Sequence, residues 1–295
     1  MSAIIRMHAS LSPTRAAMKH ALALFAALVA APALAAEMQV HRDLAYTDSS
    51  DPHQTLDVYA SKNGKDWPVA VWIHGGGWRQ GDKAGMQHKP QALVDRGFVF
   101  VSINYRFVPD VTLKQMMGDV AKAIRWVHGH AREYGGDPRS LYVMGHSAGA
   151  HLAALVATDE RYLKAEGLPL AILKGCVPVD VGAYDVVQRM QDTPESFQRA
   201  TAVFGTTAEE QRDLSPITHV AKGKSIPPFL ILHVADRPET TSQSQRFAKA
   251  LQAAGIPVIV VAAEGKTHGT INSELGLPDD KPTQALWEFL AGQSK

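Results

Sequence analysis

The sequence has 295 residues, of which 45% are hydrophobic, and 30 Lys and Arg stand against 29 Asp and Glu for a formal net charge of +1. This composition suits one globular domain with a sizeable core and excludes a disordered chain. The near-zero charge excludes a strong basic field of the kind that attracts nucleic acids.

The first 36 residues have the organisation of an export signal. Lys19 precedes an apolar run from Ala21 to Val29, and small residues follow as far as Ala36. A basic, an apolar and a small-residue region in this order are typical of a secretory signal peptide, here cleaved after Ala35 or Ala36. An ordinary amphipathic N-terminal helix is the alternative interpretation.

We therefore expect residues 1–36 to be a signal peptide, residues 37–295 to form one domain, and the protein to be periplasmic or secreted. Met18 is an alternative start, because residues 18–36 form a complete signal by themselves. Removing the signal takes away three basic side chains and no acids, which leaves a net charge of −2. The apolar run is too short to span a bilayer, so we expect no membrane association after cleavage.

Strands and helices alternate along the rest of the chain. Short apolar runs bounded by turn residues predict strands, and apolar residues at helical spacing predict helices. The predicted strands are Met38–Tyr46, Thr55–Ala60, Trp67–His74, Phe98–Ile103, Ser140–Met144, Ile172–Val179, Pro228–Val234 and Val258–Ala262. The predicted helices are Gln87–Arg96, Leu113–Tyr134, Ala148–Thr158, Gln243–Ala254 and Lys281–Ala291. The alternation predicts an α/β fold with a mostly parallel sheet and helices on both of its faces.

Residues 181–224 interrupt this alternation. They are polar and have weak periodicity. A long stretch of this kind inside a compact domain is usually a functional insertion. We expect it to be a small cap over the site, and whether it moves as a lid is left open.

The pentapeptide Gly-His-Ser-Ala-Gly at residues 145–149 lies between a predicted strand and a predicted helix. This is the setting of a nucleophile elbow, in which a sharp turn exposes the serine hydroxyl. A Cβ on either flank of the turn would clash, which explains both glycines. The pattern therefore predicts Ser147 as a catalytic nucleophile.

A second glycine-rich motif, His-Gly-Gly-Gly-Trp at residues 74–78, directly follows a predicted buried strand. Acyl transfer develops an oxyanion, which backbone N–H groups in a glycine loop can approach closely. We assign the oxyanion hole to the amides of Gly76, Gly77 and Ala148. A plain glycine-rich turn is the alternative.

The acid and the base of a triad are expected to follow the nucleophile, in that order. Asp236 comes just after the strand that ends at residue 234, and His268 comes after the last predicted strand. Both are expected at the carboxyl ends of strands, where sites in open α/β sheets lie. We predict His268 as general base and Asp236 as its supporting acid, with Asp180 and Glu239 as the competing carboxylates.

Other conspicuous side chains have structural interpretations. His74 and His146 are expected to brace loops by hydrogen bonds, and His151 to pack on the helix after Ser147. Trp78 and Phe107 follow strand ends and are predicted to line the acyl pocket as substrate-binding residues, although filling the core is an equally good interpretation.

These residues resemble the α/β-hydrolase superfamily over nearly all of the chain after residue 53. The two glycine motifs are similar to those of hormone-sensitive-lipase-like esterases. Four further stretches resemble a narrower group of bacterial carboxylesterases, feruloyl-esterase-like proteins and arylformamidases, namely residues 54–59, 104–106, 134–138 and 145–150. The resemblance implies the α/β-hydrolase fold and triad roles for Ser147, Asp236 and His268. Many relatives carry Gly before the acid, where this chain has Ala235.

The leading hypothesis is a serine carboxylesterase that hydrolyses small to medium acyl or aryl esters through an acyl-enzyme. An arylformamidase-type amide hydrolase is the alternative, because the same triad serves both reactions, and a non-catalytic binding protein on the same fold is the third. The sequence lacks a dinucleotide fingerprint, a phosphate-cradling loop and a zinc-protease motif, so we expect no cofactor and no metal. Cys176 is the single cysteine, which excludes an internal disulfide.

Overall fold

The computed structural model describes residues 37–192 and 197–293, with the side chains of residues 197–199 left out of the description. The predicted signal peptide, residues 1–36, lies outside the described residues. None of the helices within the described ranges is long and apolar enough to cross a membrane.

The strands are β1 (Met38–Ala45), β2 (Thr55–Ser61), β3 (Trp67–Ile73), β4 (Val99–Ile103), β5 (Gly136–His146), β6 (Leu173–Val179), β7 (Phe229–Val234) and β8 (Val258–Ala263). They form an eight-stranded sheet in the order β1-β2-β4-β3-β5-β6-β7-β8. β2 pairs antiparallel with β1 and β4, and every other neighbouring pair is parallel. The carboxyl ends of the parallel strands therefore meet along one edge, which is where the candidate site lies.

The helices are α1 (Lys89–Val94), α2 (Leu113–His130), α3 (Ala148–Thr158), α4 (Glu160–Ala165), α5 (Val186–Asp192), α6 (Phe197–Phe204), α7 (Ala208–Asp213), α8 (Pro238–Ala253), α9 (Thr270–Ser273) and α10 (Lys281–Gly292). Helices α2, α3 and α8 pack into one apolar core, and α1 and α10 pack into a second core. The sheet thus has helices on both faces, as the alternation of elements predicts.

Strand β3 shows why the central strands read as continuous apolar runs. Its odd-numbered residues Val69, Val71 and Ile73 belong to the first core, whereas Ala70 and Trp72 belong to the second. Side chains alternate across a strand, so a strand that is covered on both faces needs apolar residues at every position.

Several helices differ from their predicted bounds, and α1 spans only Lys89–Val94 where residues 87–96 were predicted. α8 begins at Pro238 rather than at residue 243, because proline fits the first turn of a helix, where no N–H partner is needed. α2 ends at His130, and residues 131–134 continue as a 3₁₀ turn that Gly135 ends with a φ of 78°. The short helix α4, which no pattern predicted, begins where the Asp159 side chain accepts the Arg161 N–H.

The described part of residues 181–224 lies between β6 and β7 and is largely helical. It contains α5, α6 and α7 and a 3₁₀ turn at Pro216–His219. The role of this segment as a cap remains a prediction.

Candidate active site

Ser147 lies at the turn between β5 and α3, with a φ of 55°, and only a few side-chain-bearing residues in the described ranges have a positive φ. The flanking glycines make this turn possible. A Cβ at Gly145 would lie 2.4 Å from the carbonyl oxygen of Gly149, and one at Gly149 would lie 2.1 Å from that of Ile73. Strained φ values of this kind persist where the surrounding packing imposes them, and here they hold the Ser147 hydroxyl at the end of the sheet.

His268 lies in the loop between β8 and α9, with its Nε2 atom 2.9 Å from Ser147 Oγ. The loop is held by His146, whose Nε2–H donates to the backbone oxygen of His268 at 2.8 Å. Burial is the main reason why the pKa of His146 falls to about 3, so this imidazole is neutral and serves as a fixed donor. His146 therefore has the bracing contact that the sequence analysis expects.

Asp180, the first residue after β6, completes the hydrogen-bonded chain. Its Oδ2 atom lies 2.6 Å from His268 Nδ1, and its Oδ1 atom accepts the backbone N–H of Val234 at 3.0 Å. Burial by itself would raise the pKa of the Asp180 carboxyl. The hydrogen bonds from His268 and Val234, together with the charge of Arg237, outweigh burial and hold that pKa well below its usual range.

The predicted pairing of Asp236 with His268 is wrong, because Asp180 occupies the Nδ1 side of the imidazole while Asp236 is exposed. Both carboxylates follow the ends of neighbouring parallel strands, so the sequence pattern fits either one. The backbone decides between them: Asp180 has a φ of 51°, and the Val234 amide of the adjacent strand holds its carboxylate.

Arg237, which the sequence analysis did not single out, contacts both members of this pair. Its Nη1 atom donates to Asp180 Oδ2 and lies 2.8 Å from His268 Nδ1. The side chain is 35% exposed, whereas that of Asp180 is fully buried. Arg237 directly follows Asp236, which the sequence analysis selected because it comes just after β7. That neighbouring position is the sequence feature that could have pointed to Arg237.

The glycine loop borders the same cleft as the serine and the histidine. Gly76 and Gly77 have φ values of 130° and 63°, and a Cβ at Gly75 would come within 3.1 Å of Ser147 Cβ. Ala148 is the first residue of α3, so its amide lies next to the nucleophile in the chain. Gly76 and Gly77 therefore line the same cleft as Ser147, and the oxyanion role of the amides of Gly76, Gly77 and Ala148 stays a prediction.

The cleft has a volume of about 510 Å³ and a mixed polar and apolar lining. The lining residues are Trp72, His74, Gly75, Gly76, Gly77, Gln80, Asp82, Gly85, His146, Ser147, His268 and Asn272. Within the described ranges, Asn272 Oδ1 and His74 Nε2 are buried atoms without a hydrogen-bond partner. Both atoms belong to residues that line the cleft.

Trp78 and Phe107, the predicted substrate-binding residues, pack instead against the first apolar core. The Trp78 ring contacts His151 and Phe204, and Phe107 contacts the rings of His53, His74 and Tyr105. Neither is among the described residues that line the cleft. The core interpretation that the sequence left open therefore fits both side chains.

His74 and His151 are buried structural histidines. His74 Nδ1 lies 2.7 Å from the Gly75 oxygen and its ring stacks on Tyr105, while His151 Nε2–H donates to the Leu214 oxygen at 2.8 Å. Burial lowers the pKa of each to about 4. The described ranges contain no cluster of His, Cys, Asp and Glu suited to a metal ion.

Comparisons with known proteins place these motifs in a family. The BD-FAE family model matches residues 56–251. An isoprenylcysteine alpha-carbonyl methylesterase of Arabidopsis thaliana is 30% identical, over 78% of this chain and 56% of that protein. The chain spans about half the length of the curated relatives it matches.

Solved structures give the fold. Esterase B from Lactobacillus rhamnosis superposes with a TM-score of 0.72 at 22% identity, over 87% of each chain. A thermophilic esterase from Thermogutta terrifontis has a TM-score of 0.65 at 26% identity, over 88% of this chain and 91% of that one. These likenesses confirm the predicted α/β-hydrolase fold.

Proposed function

The chain belongs to the BD-FAE family of the α/β-hydrolase superfamily, and on that premise we propose that it is a serine carboxylesterase acting on small to medium acyl or aryl esters. The observation that carries the proposal is the hydrogen-bonded chain from Ser147 through His268 to Asp180. The names of the Arabidopsis and Thermogutta relatives support ester hydrolysis.

Acylation begins when Ser147 Oγ attacks the ester carbonyl carbon while His268 Nε2 takes the hydroxyl proton. The carbonyl π pair moves to oxygen, and the amides of Gly76, Gly77 and Ala148 donate hydrogen bonds to that oxyanion. The tetrahedral adduct then collapses and expels the alcohol, which receives its proton from His268. Asp180 stabilises the imidazolium between the two transfers and supplies no proton itself.

Deacylation repeats the sequence with water as the nucleophile. His268 takes a proton from water as the water oxygen attacks the acyl carbon, and the proton is returned to Ser147 Oγ when the carboxylic acid leaves. The buried and charge-paired state of Asp180 keeps it ionised throughout. Apart from the ester and water, the steps of this cycle use only these side chains and backbone amides.

The proposal is tested with a Ser147→Ala variant and a series of nitrophenyl esters from acetate to laurate, run beside N-formyl-kynurenine. We expect ester hydrolysis that fades with acyl length and that falls by about 10³-fold or more in the variant. Ser140→Ala on the same strand β5 is the matched control and should keep parental activity. An organophosphate should modify Ser147, as shown by peptide mass spectrometry.

Two results would contradict the proposal. Preferred deformylation of N-formyl-kynurenine would identify an amide hydrolase that uses the same residues. A Ser147→Ala variant as active as its parent would leave the fold with a different nucleophile or with a binding role.

We further propose that the mature protein is exported and that residues 1–36 are its signal peptide. The order of basic, apolar and small residues supports this proposal. N-terminal sequencing of protein recovered from the periplasm or the medium should start at residue 36 or 37. Recovery of an uncleaved chain inside the cell would contradict it.

A further inference from the structure

Lys89, the first residue of α1, is a buried cation next to the catalytic cleft. It is 2% exposed, and burial lowers the pKa of its ammonium group to about 7, with no carboxylate of the described ranges opposing that shift. A lysine buried without a carboxylate partner is rare, because the charged form loses its hydration. Departures of this kind from the usual burial rules concentrate at functional sites.

The Lys89 ammonium contacts two residues that line the cleft. It donates to the backbone oxygens of Asn272 at 2.7 Å and Met86 at 3.2 Å, and to Gln87 Oε1 at 3.3 Å, which uses all three of its N–H groups. Its Nζ atom also lies 4.7 Å from the centroid of the Trp72 ring, within the range of a cation–π interaction. Trp72 and Asn272 are the two lining residues, and the shortest of the three hydrogen bonds is to Asn272.

Asn272 belongs to α9, the short helix that follows the catalytic histidine. The Ile271 N–H donates to the Thr267 oxygen at 3.1 Å, and the Asn272 N–H donates to the Gly269 oxygen at 3.2 Å. His268 therefore lies between two residues whose carbonyl groups are bonded to α9. The position of α9 thus determines how the imidazole meets the nucleophile.

The His268 side chain is 42% exposed, so its placement depends on how its backbone is held. His146 donates to the backbone oxygen of His268 directly. Lys89 holds the helix on the far side of the same loop. The chain after α9 also packs closely on the start of α1, because a Cβ at Gly276 would lie 3.1 Å from the carbonyl carbon of His88.

We propose that Lys89 is a positioning residue that holds α9, through the Asn272 oxygen, so that His268 can deliver its proton to the departing alcohol. The proposal rests on the proposed function of the Ser147–His268 pair. In the step concerned, the bond between the carbonyl carbon and the alkoxy oxygen breaks while the proton on His268 Nε2 moves to that oxygen.

The test compares ethyl butyrate with nitrophenyl butyrate, which share an acyl group, in the parent and in Lys89→Met. Nitrophenolate leaves without a proton, whereas ethoxide must receive one from His268 as it leaves. We expect kcat/KM for ethyl butyrate to fall roughly tenfold to hundredfold in the variant, and its ratio to the value for nitrophenyl butyrate to fall at least about fivefold. A loss of folded protein would lower both values equally and leave the ratio unchanged.

Lys83→Met is the matched control, because Lys83 is also buried but pairs with Asp43 and Asp57 instead of α9. It should leave the ratio at the parental value. Hydrogen exchange of the full chain, followed by mass spectrometry of peptides that cover residues 267–273, gives a readout independent of catalysis. We expect exchange there to quicken at least about fivefold in Lys89→Met and to be unchanged in Lys83→Met. Lys89→Gln, with thermal unfolding as a folding check, serves if the methionine variant does not fold.

An unchanged ratio in Lys89→Met would overturn the proposal, whether the two esters are hydrolysed at parental rates or slow down equally. Unchanged exchange at residues 267–273 would also overturn it. Failure of the proposed function is distinguishable, because it would appear as hydrolysis of both esters that Ser147→Ala does not reduce, while the exchange measurement does not depend on the reaction.

Discussion

At the residue scale, the identity of the acid depends on how one carboxylate is held. Asp180 has both oxygens occupied, one by the Val234 amide and the other by His268 and Arg237. A carboxylate in such a setting stays ionised and keeps a fixed orientation. Asp236 is exposed and has neither property.

We expect Asp180→Asn to lower kcat by about 10³- to 10⁴-fold, because an amide at this position favours the wrong histidine tautomer and cannot stabilise the imidazolium. Asp236→Asn is the matched control, and its kcat should stay within about twofold of the parent, as is usual for an exposed side chain outside the site. Steady-state hydrolysis of a nitrophenyl ester checks both. The reverse order of effects would return the acid role to Asp236.

At the element scale, the turn between β5 and α3 depends on the close approach of α3 to the end of β3. A Cβ at Gly149 would lie 2.1 Å from the Ile73 oxygen and 2.5 Å from the His74 oxygen. Backbone atoms at that distance have to move, and the glycine loop that starts at residue 75 would move with them. Strand, loop and nucleophile are therefore coupled through this single contact.

Gly149→Ala should lower the free energy of unfolding by about 1–3 kcal/mol, as overpacking does, and should lower kcat because Ser147 and the glycine loop shift relative to each other. Thermal unfolding and ester hydrolysis check the two effects. Gly118→Ala is the contrasting change, since its helical position in α2 has nothing within 4 Å of a new Cβ. Gly118→Ala should raise the free energy of unfolding by about 0.5–1 kcal/mol and leave kcat unchanged.

At the scale of the whole molecule, the segment between β6 and β7 is tied to the body through Asp213 at the end of α7. Its carboxylate lies 2.6 Å from Arg161 of α4 and 2.7 Å from Lys114 of α2. The two cations are more than half exposed, and exposed ion pairs contribute at most about 1 kcal/mol each to global stability. The two ion pairs should therefore affect the local opening of this segment more than the global stability of the protein.

Asp213→Asn should increase the rate of limited proteolysis within residues 181–224 severalfold, because the opening of low-stability segments governs their cleavage. The midpoint of thermal unfolding should shift by only about 1–3 °C. Glu209→Gln, an exposed acid on the same helix, is the control and should leave the rate unchanged. Raised salt should reproduce the effect in the parent. Equal cleavage rates in the two variants would contradict this account.

Three buried histidines make the folded molecule sensitive to acid. Burial lowers the pKa of His74 and His151 to about 4 and that of His146 to about 3. The unfolded chain binds these protons at a pKa of about 6.5, so it binds more protons than the folded chain between these values. Stability is fully present above about pH 6.5 and is lost as the pH falls toward 4.

Each histidine should contribute up to about 1.4 kcal/mol per pH unit to this loss. Urea unfolding at pH 7.5, 6.0 and 5.0 measures the slope. His151→Gln keeps a donor for the Leu214 oxygen and should reduce the pH slope of the unfolding free energy by about the contribution of one histidine. The control is His88→Gln, at an exposed histidine, which should leave that slope unchanged. A slope that is unaffected by His151→Gln would contradict the assignment.

Much of the fold and part of the site were predictable from the sequence by itself. The alternation of apolar runs and amphipathic segments predicted every strand of the sheet, because burial on one or both faces imposes its period on the residues. The glycines at 145 and 149 and the serine between them were predictable because a sharp turn restricts which residues fit there. His268 was found from chain order and from the end of its strand.

The acid, Arg237 and the packing of Trp78 were decided only by the tertiary structure. Asp180 and Asp236 both follow strand ends, and nothing local distinguishes them. The choice comes from the Val234 amide on the adjacent strand and from the loop that carries His268, which lies 88 residues further along the chain. Trp78 meets His151 and Phe204 from separate elements. The local sequence reflects the steric and burial requirements of each element. Contacts between distant segments form only when the sheet has brought those segments together.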